Sequence, residues 1–158
     1  MAEVVDIGGF VRLVRALSSE IDSASTSAIG EQLAELAFTL DGDVFALDVP
    51  DMRCDWVIES PEPSCTIVAS PGGAVTHFWR AFTMERIPLY LNGEAMRLTI
   101  LGMPFLVWHI TSSAESRQAA RMCGFVAPTQ VWTVDVTAPD AQELMLMFGV
   151  LRSIRRAG

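Results

Sequence analysis

The sequence has no lysine: all 11 of its cationic side chains are arginine. Schiff-base chemistry and the phosphate-binding P-loop both need a lysine amine, so both are excluded. Charge of either sign is scarce, at 19% of residues against about 25% in an average soluble domain. Cysteine is limited to Cys54, Cys65 and Cys123, an odd number without CxxC spacing, and neither His77 nor His109 stands at a zinc-ligand interval from them. The thiols are expected to be reduced and buried, and no metal or other cofactor is implied. No apolar run approaches the roughly 18 to 20 residues that span a bilayer, and Met1–Asp6 lacks the basic start of a signal peptide. The expectation is a cytoplasmic protein with no membrane insertion.

Apolar surface is what the chain has in excess. Hydrophobic residues make up 51% of 158 residues, and a chain of this length buries about two thirds of its unfolded surface as one domain. A single domain over residues 1–158 is therefore expected, with a large core, a lined cavity or a partner-covered surface to absorb the excess. The net charge of −8 is one-sided: residues 1–63 hold 13 acids and 3 arginines, residues 64–158 hold 6 acids and 8 arginines. Phosphate backbones repel such a balance, so nucleic acid is not an expected partner.

Periodicity sets the expected elements. Ile7, Phe10, Val11, Val14, Leu17 and Ile21 recur at helical spacing over residues 7–22, and Ser23–Ser27 breaks that helix. Ile29, Leu33, Leu36 and Leu40 predict a second helix that stops at Asp41-Gly42. Strands are predicted over Val44–Val49, Asp55–Glu59 and Ser64–Ala69. Ser70-Pro71-Gly72-Gly73 then leads into a helix with the stripe Val75, Phe78, Trp79 and Phe82. Ile87–Leu91 and Glu94–Leu101 flank Asn92-Gly93 as a hairpin, and Phe105–Ile110 is a short apolar segment after Pro104. Ser112-x-x-Glu115 predicts the start of a helix ending before Gly124. A strand over Gln130–Val136 and a buried helix, opened by Asp140-x-x-Glu143 and running almost to the terminus, complete the chain. The fold class is α+β: a mixed or antiparallel sheet of about five to six strands, helices packed on one face, and amphipathic helices at both ends.

No catalytic constellation emerges. Gly8-Gly9 and Gly72-Gly73 lack phosphate-loop spacing and read as turn or capping glycines. His77 and His109 have no nucleophile or orienting group in any motif, and the acidic pairs between Asp41 and Glu62 lack the order of a calcium loop. Methionine and aromatic side chains are adaptable cavity lining as well as ordinary core. The candidate ligand cavity comprises Trp56, Phe78, Trp79, Phe82, Leu89 and Leu91 with Met96, Leu98, Phe105, Trp108, Met147 and Phe148. Arg80 and Arg97 are its candidate anion anchors.

The helix ending Leu-Ala-Glu-Leu-Ala-Phe-Thr-Leu, the strand Val44–Val49, a strand around Trp56, the stretch Cys65–Ser70 leading into a helix, and Arg97–Gly102 occur in an order that resembles the sterol carrier protein 2 family over about residues 29–103. That resemblance implies a sheet with helices on one face, a tunnel for acyl chains or sterols, and binding without chemistry. The Asn92-Gly93 hairpin is an addition to the family's pattern, and residues 104–158 have no counterpart in it. The leading expectation is thus a carrier of an apolar small molecule such as a lipid, sterol or acyl chain. The alternative is an acidic interaction or regulatory module, a homodimer or chaperone-like protein, whose apolar surface a partner covers. An enzyme ranks third, because no motif names a reaction.

Overall fold

The computed structural model describes residues 7–17, 19–50, 55–81, 95–112, 117–128 and 130–157. The chain runs α1 (Ile7–Arg15), α2 (Asp22–Ala28), β1 (Leu33–Leu40), β2 (Asp43–Pro50), β3 (Val57–Glu62), β4 (Cys65–Ala69) and β5 (Val75–Ala81). It continues with β6 (Ala95–Ile100), β7 (Met103–Ser112), β8 (Arg117–Ala127), β9 (Gln130–Ala138), α3 (Ala141–Arg152) and β10 (Arg155–Arg156). The α+β class holds, and every pairing between these strands is antiparallel. In place of one sheet of five or six strands there are two: seven strands ordered β3-β4-β5-β9-β8-β7-β6, and three ordered β1-β2-β10.

Three predicted helices are strands. In residues 33–40, Leu36 and Leu40 satisfy a helical stripe, but they also alternate with Glu35, Ala37 and Thr39, which are exposed while Phe38 and Leu40 are buried. Asp41-Gly42 decides between the two periods. Both residues have positive φ, 52° and 85°, as a two-residue hairpin turn requires, and Leu40 pairs directly with Asp43. A turn dipeptide read as a helix stop is in fact a reversal. Residues 75–81 likewise alternate, with Thr76 and Phe78 inward and Val75, His77 and Trp79 on the other face, because β4 and β9 flank them. The helix expected after Ser112 is β8, a central strand held by β7 on one side and β9 on the other. Its Ala119, Ala120 and Met122 favour helix locally, and two complete ladders override that preference. Gly124 belongs to this strand because the Phe105 ring lies against it where a Cβ would stand.

The helix predicted over residues 7–22 is split. Between α1 and α2 the chain runs along β6, where Arg97 N–H donates to Ser19 O at 3.1 Å and Ile21 N–H donates to Arg97 O at 2.9 Å. This segment covers an edge that would otherwise be open to pairing. The serine-rich stretch expected as a break is α2 itself, its hydroxyls donating back to carbonyls within the helix, as Thr26 does to Asp22 O at 2.8 Å. The Asn92-Gly93 hairpin lies outside the described residues. β6 instead reverses into β7 through Leu101-Gly102, again with both φ positive, 56° and 72°.

Helices lie on both faces of the large sheet, where one face was expected. Phe78, Leu98, Phe105, Val107, Met122, Trp132 and Val134 point to one side, against α3 and the β1–β2 hairpin. The alternate residues Leu106, Cys123, Phe125 and Val131 point to the other, where Phe10 and Val14 of α1 cover them. Each of these two helix side chains contributes about 1.5–3 kcal/mol by leaving water. Phe38 stacks on both Phe45 and Phe78, and Phe45 and Phe78 each meet Trp132 edge-on, which joins the small sheet to the large one. Polar contacts close the same seam: Thr66 Oγ1 donates to Thr39 O at 2.5 Å, and Asp41 N–H donates to Pro63 O at 2.7 Å. The terminal helix, expected to run almost to the terminus, stops at Arg152, and Arg155–Arg156 pair with β2 instead. It packs within its own chain, which the sequence left open, with Leu144, Met147, Phe148, Val150 and Leu151 buried. Among the described residues no helix is long and apolar enough to cross a membrane.

Candidate functional site

Asp140 opens α3 as expected, its Oδ1 accepting from Glu143 N–H at 2.8 Å. The reciprocal bond of a capping box is not formed. Glu143 directs its carboxylate across to the β4–β5 turn, where it lies against Gly72 in the space that any β-carbon there would occupy. That turn is fixed by its own bonds: Ser70 N–H donates to Ala74 O at 2.8 Å, and Ser70 Oγ accepts from Ala74 N–H at 3.0 Å. Glu143, Leu146 and Gly149 stand three residues apart on α3 and so share one face. Gly149 admits α2, since a Cβ there would fall closer than 3.0 Å to both Ser25 O and the Ile29 Cγ2 methyl.

Because α2 and α3 touch at Gly149, the groups beyond that contact frame a cleft of about 500 Å³. Ser27 and Ala28 at the end of α2, with Ile29 and Gly30 just beyond it, form one wall, and Glu143 and Leu146 of α3 form another. Pro50, Trp56, Pro71 and Gly72 complete it. Glu143 is the one charged group among these, and its Oε2 is buried without a hydrogen-bond partner among the described residues. A buried acceptor left unpaired is unfavourable.

Of the described residues proposed from sequence as cavity lining, Trp56 is the one that lines this cleft. Phe78, Leu98, Phe105, Met147 and Phe148 are side chains of the continuous core, with Met96 half-buried against them. Trp108 packs partly buried among the side chains under α1. Trp79 is 37% exposed on the outer face, its ring stacked on His77 at 5.4 Å. Arg97 sits on β6 with its Nε buried and unpartnered among the described residues, while Arg80 pairs through its backbone with Trp132 on β9. Phe82, Leu89 and Leu91 lie outside the described residues. Glu143, Leu146 and Ile29 went unrecognised because Glu143 reads locally as a capping residue and the other two as core.

The titrating groups described do not assemble into a reactive centre. Burial pushes the Cys123 thiol up to about 12, and burial followed by the charge of Glu62 raises Cys65. His77 faces Asp135 across the β5–β9 ladder, but Asp135 is engaged by Arg121 Nε at 2.8 Å. Among the described residues no three His, Cys, Asp or Glu side chains are grouped to hold a metal ion.

No protein-family model matches the chain, and no curated protein is similar to it in sequence. A solved structure from Bacteroides thetaiotaomicron VPI-5482 is similar in fold, with a TM-score of 0.52 at 8% identity. The similarity covers 81% of this chain and 50% of that one, so this chain spans half the length of its structural neighbour. At such identity the likeness concerns fold alone.

Proposed function

We propose that this chain is a non-catalytic binding module for an apolar small molecule held in the cleft beside Trp56. The carrying observation is the cleft itself, where Ile29, Leu146, Pro50, Pro71 and Trp56 line the space with Glu143, the one carboxylate of the described lining. Its volume of about 500 Å³ is in the usual range for small-ligand sites, and displacing water from such a lining drives binding without a charged partner. The reading keeps the binding without chemistry that the resemblance to sterol carrier proteins implies, and moves the ligand from the interior to the cleft. Neutral alkanols test it, with octanol titrated against wild type and Trp56→Phe while tryptophan emission is followed. One saturable site per chain, with most of the spectral change lost in Trp56→Phe, is the expected result. Absence of saturation, or a change that persists without Trp56, would overturn the reading.

A second reading, an interaction module, has its own support. Val57 is 48% and Trp79 37% exposed on the same outer face of β3–β5. A homodimer would cover them, and its mass in solution would fall to that of a monomer in a Val57→Asp, Trp79→Asp variant.

A further inference from the structure

We infer that the ligand of the cleft is an organic cation, a protonated amine on an apolar body, with Glu143 as its anchor. This rests on the cleft being the binding site. Glu143 is the one charged residue of the described lining, and among the described residues nothing donates to its buried Oε2. The arginines that form ion pairs are engaged elsewhere: Arg121 with Asp135, Arg152 with Asp22, and Arg155 with Glu35 and Asp48. Arg156 lies over the Phe45 ring. No described cation forms an ion pair with Glu143, and an ammonium group supplies both a donor and an opposite charge. Trp56 bounds the same space, and an indole face attracts a cation while its breadth covers an aliphatic chain. A carboxylate ligand, such as Arg80 or Arg97 was expected to hold, would instead meet a like charge. Gly72 belongs to the device, because any side chain there displaces the Glu143 carboxylate from its present position.

Three six-carbon probes that differ only in their head group separate the possibilities: hexylamine, hexanol and hexanoate at neutral pH, followed by the chemical shift of the Trp56 indole N–H. Wild type is expected to bind hexylammonium about tenfold more tightly than hexanol, the difference one charge-assisted hydrogen bond makes, and hexanoate least. Glu143→Gln should bring hexylamine and hexanol to within about twofold while leaving hexanol unchanged, and Gly72→Ala should reduce the same preference by moving the carboxylate. Asp135→Asn, on the far face of the sheet, should retain the preference and so exclude general attraction to an acidic protein. Equal binding of hexylamine and hexanol by wild type, tighter binding of hexanoate, or a preference that survives Glu143→Gln or is lost in Asp135→Asn would overturn the inference and leave the cleft a neutral apolar site. If none of the three probes binds, the cleft reading falls and the inference with it.

Discussion

Replacing Gly149 with alanine sets two known effects against each other. Alanine is favoured over glycine inside a helix by about 1 kcal/mol, so on an isolated α3 the change would stabilise. In the folded chain the new methyl would stand closer than 3.0 Å to Ser25 O and to Ile29 Cγ2. Ile29 has side-chain freedom to move, but the Ser25 carbonyl belongs to the α2 backbone, so the helix must retreat by about 1 Å to restore an ordinary contact. That retreat loosens Ile21, Ser25 and Ile29, all buried, and overpacking of this kind costs about 1–3 kcal/mol before lost contacts are added. The net expectation is a destabilisation of about 2 kcal/mol, or roughly 4–8 °C in Tm for a chain of this size. Urea and thermal unfolding followed by circular dichroism measure it. Octanol affinity should fall as well, because Ser27–Gly30 move with α2. A Tm equal to or above wild type would show that helix propensity wins and that Gly149 does not close the α2–α3 contact.

Cys123 makes stability depend on alkaline pH. Its thiol ionises near 9.0 when unfolded and is held to about 12 by burial, so the folded state keeps a proton that the unfolded state loses. This contribution is fully present below pH 9 and is lost as pH rises towards 12, with a ceiling of about 4 kcal/mol. Cys123→Ala should flatten that alkaline decline in denaturant titrations, and a decline of unchanged slope would refute the assignment. Asp22 is a different kind of tie: its Oδ1 accepts from Thr99 N–H at 2.8 Å and its Oδ2 from Thr99 Oγ1 at 2.6 Å. Asp22→Ala should lower stability by about 2 kcal/mol and Asp22→Asn by about half of that, measured as the shift in urea midpoint.

Where a segment's structure is set by its own neighbours, the sequence was readable. Asp140 caps α3 through a residue three positions away, and β2, β4, β6 and β9 show β-branched or alternating runs bounded by turn residues. Residues 33–40, 75–81 and 117–127 carry apolar side chains that satisfy either period, and their state follows from partners distant in sequence: β1 from the turn into β2, β5 from β4 and β9, β8 from β7 and β9. Local propensity differs by fractions of a kcal/mol per residue, and a ladder flanked on both sides outweighs it.

The site divides in the same way. Trp56 stood out as a large aromatic in a predicted strand, but Glu143 looked like half of a capping box, and its diversion to Gly72 depends on a turn some seventy residues earlier in the chain. The sequence by itself determined an acidic, lysine-free α+β chain with an apolar excess and an N-capped final helix, since composition and local caps need no third dimension. Only the tertiary structure decided that most of the apolar excess fills a core, and that one carboxylate stands in a cleft unpaired among the described residues. Several separate segments meet there, and their meeting is fixed by close packing between elements, which no single stretch of chain encodes.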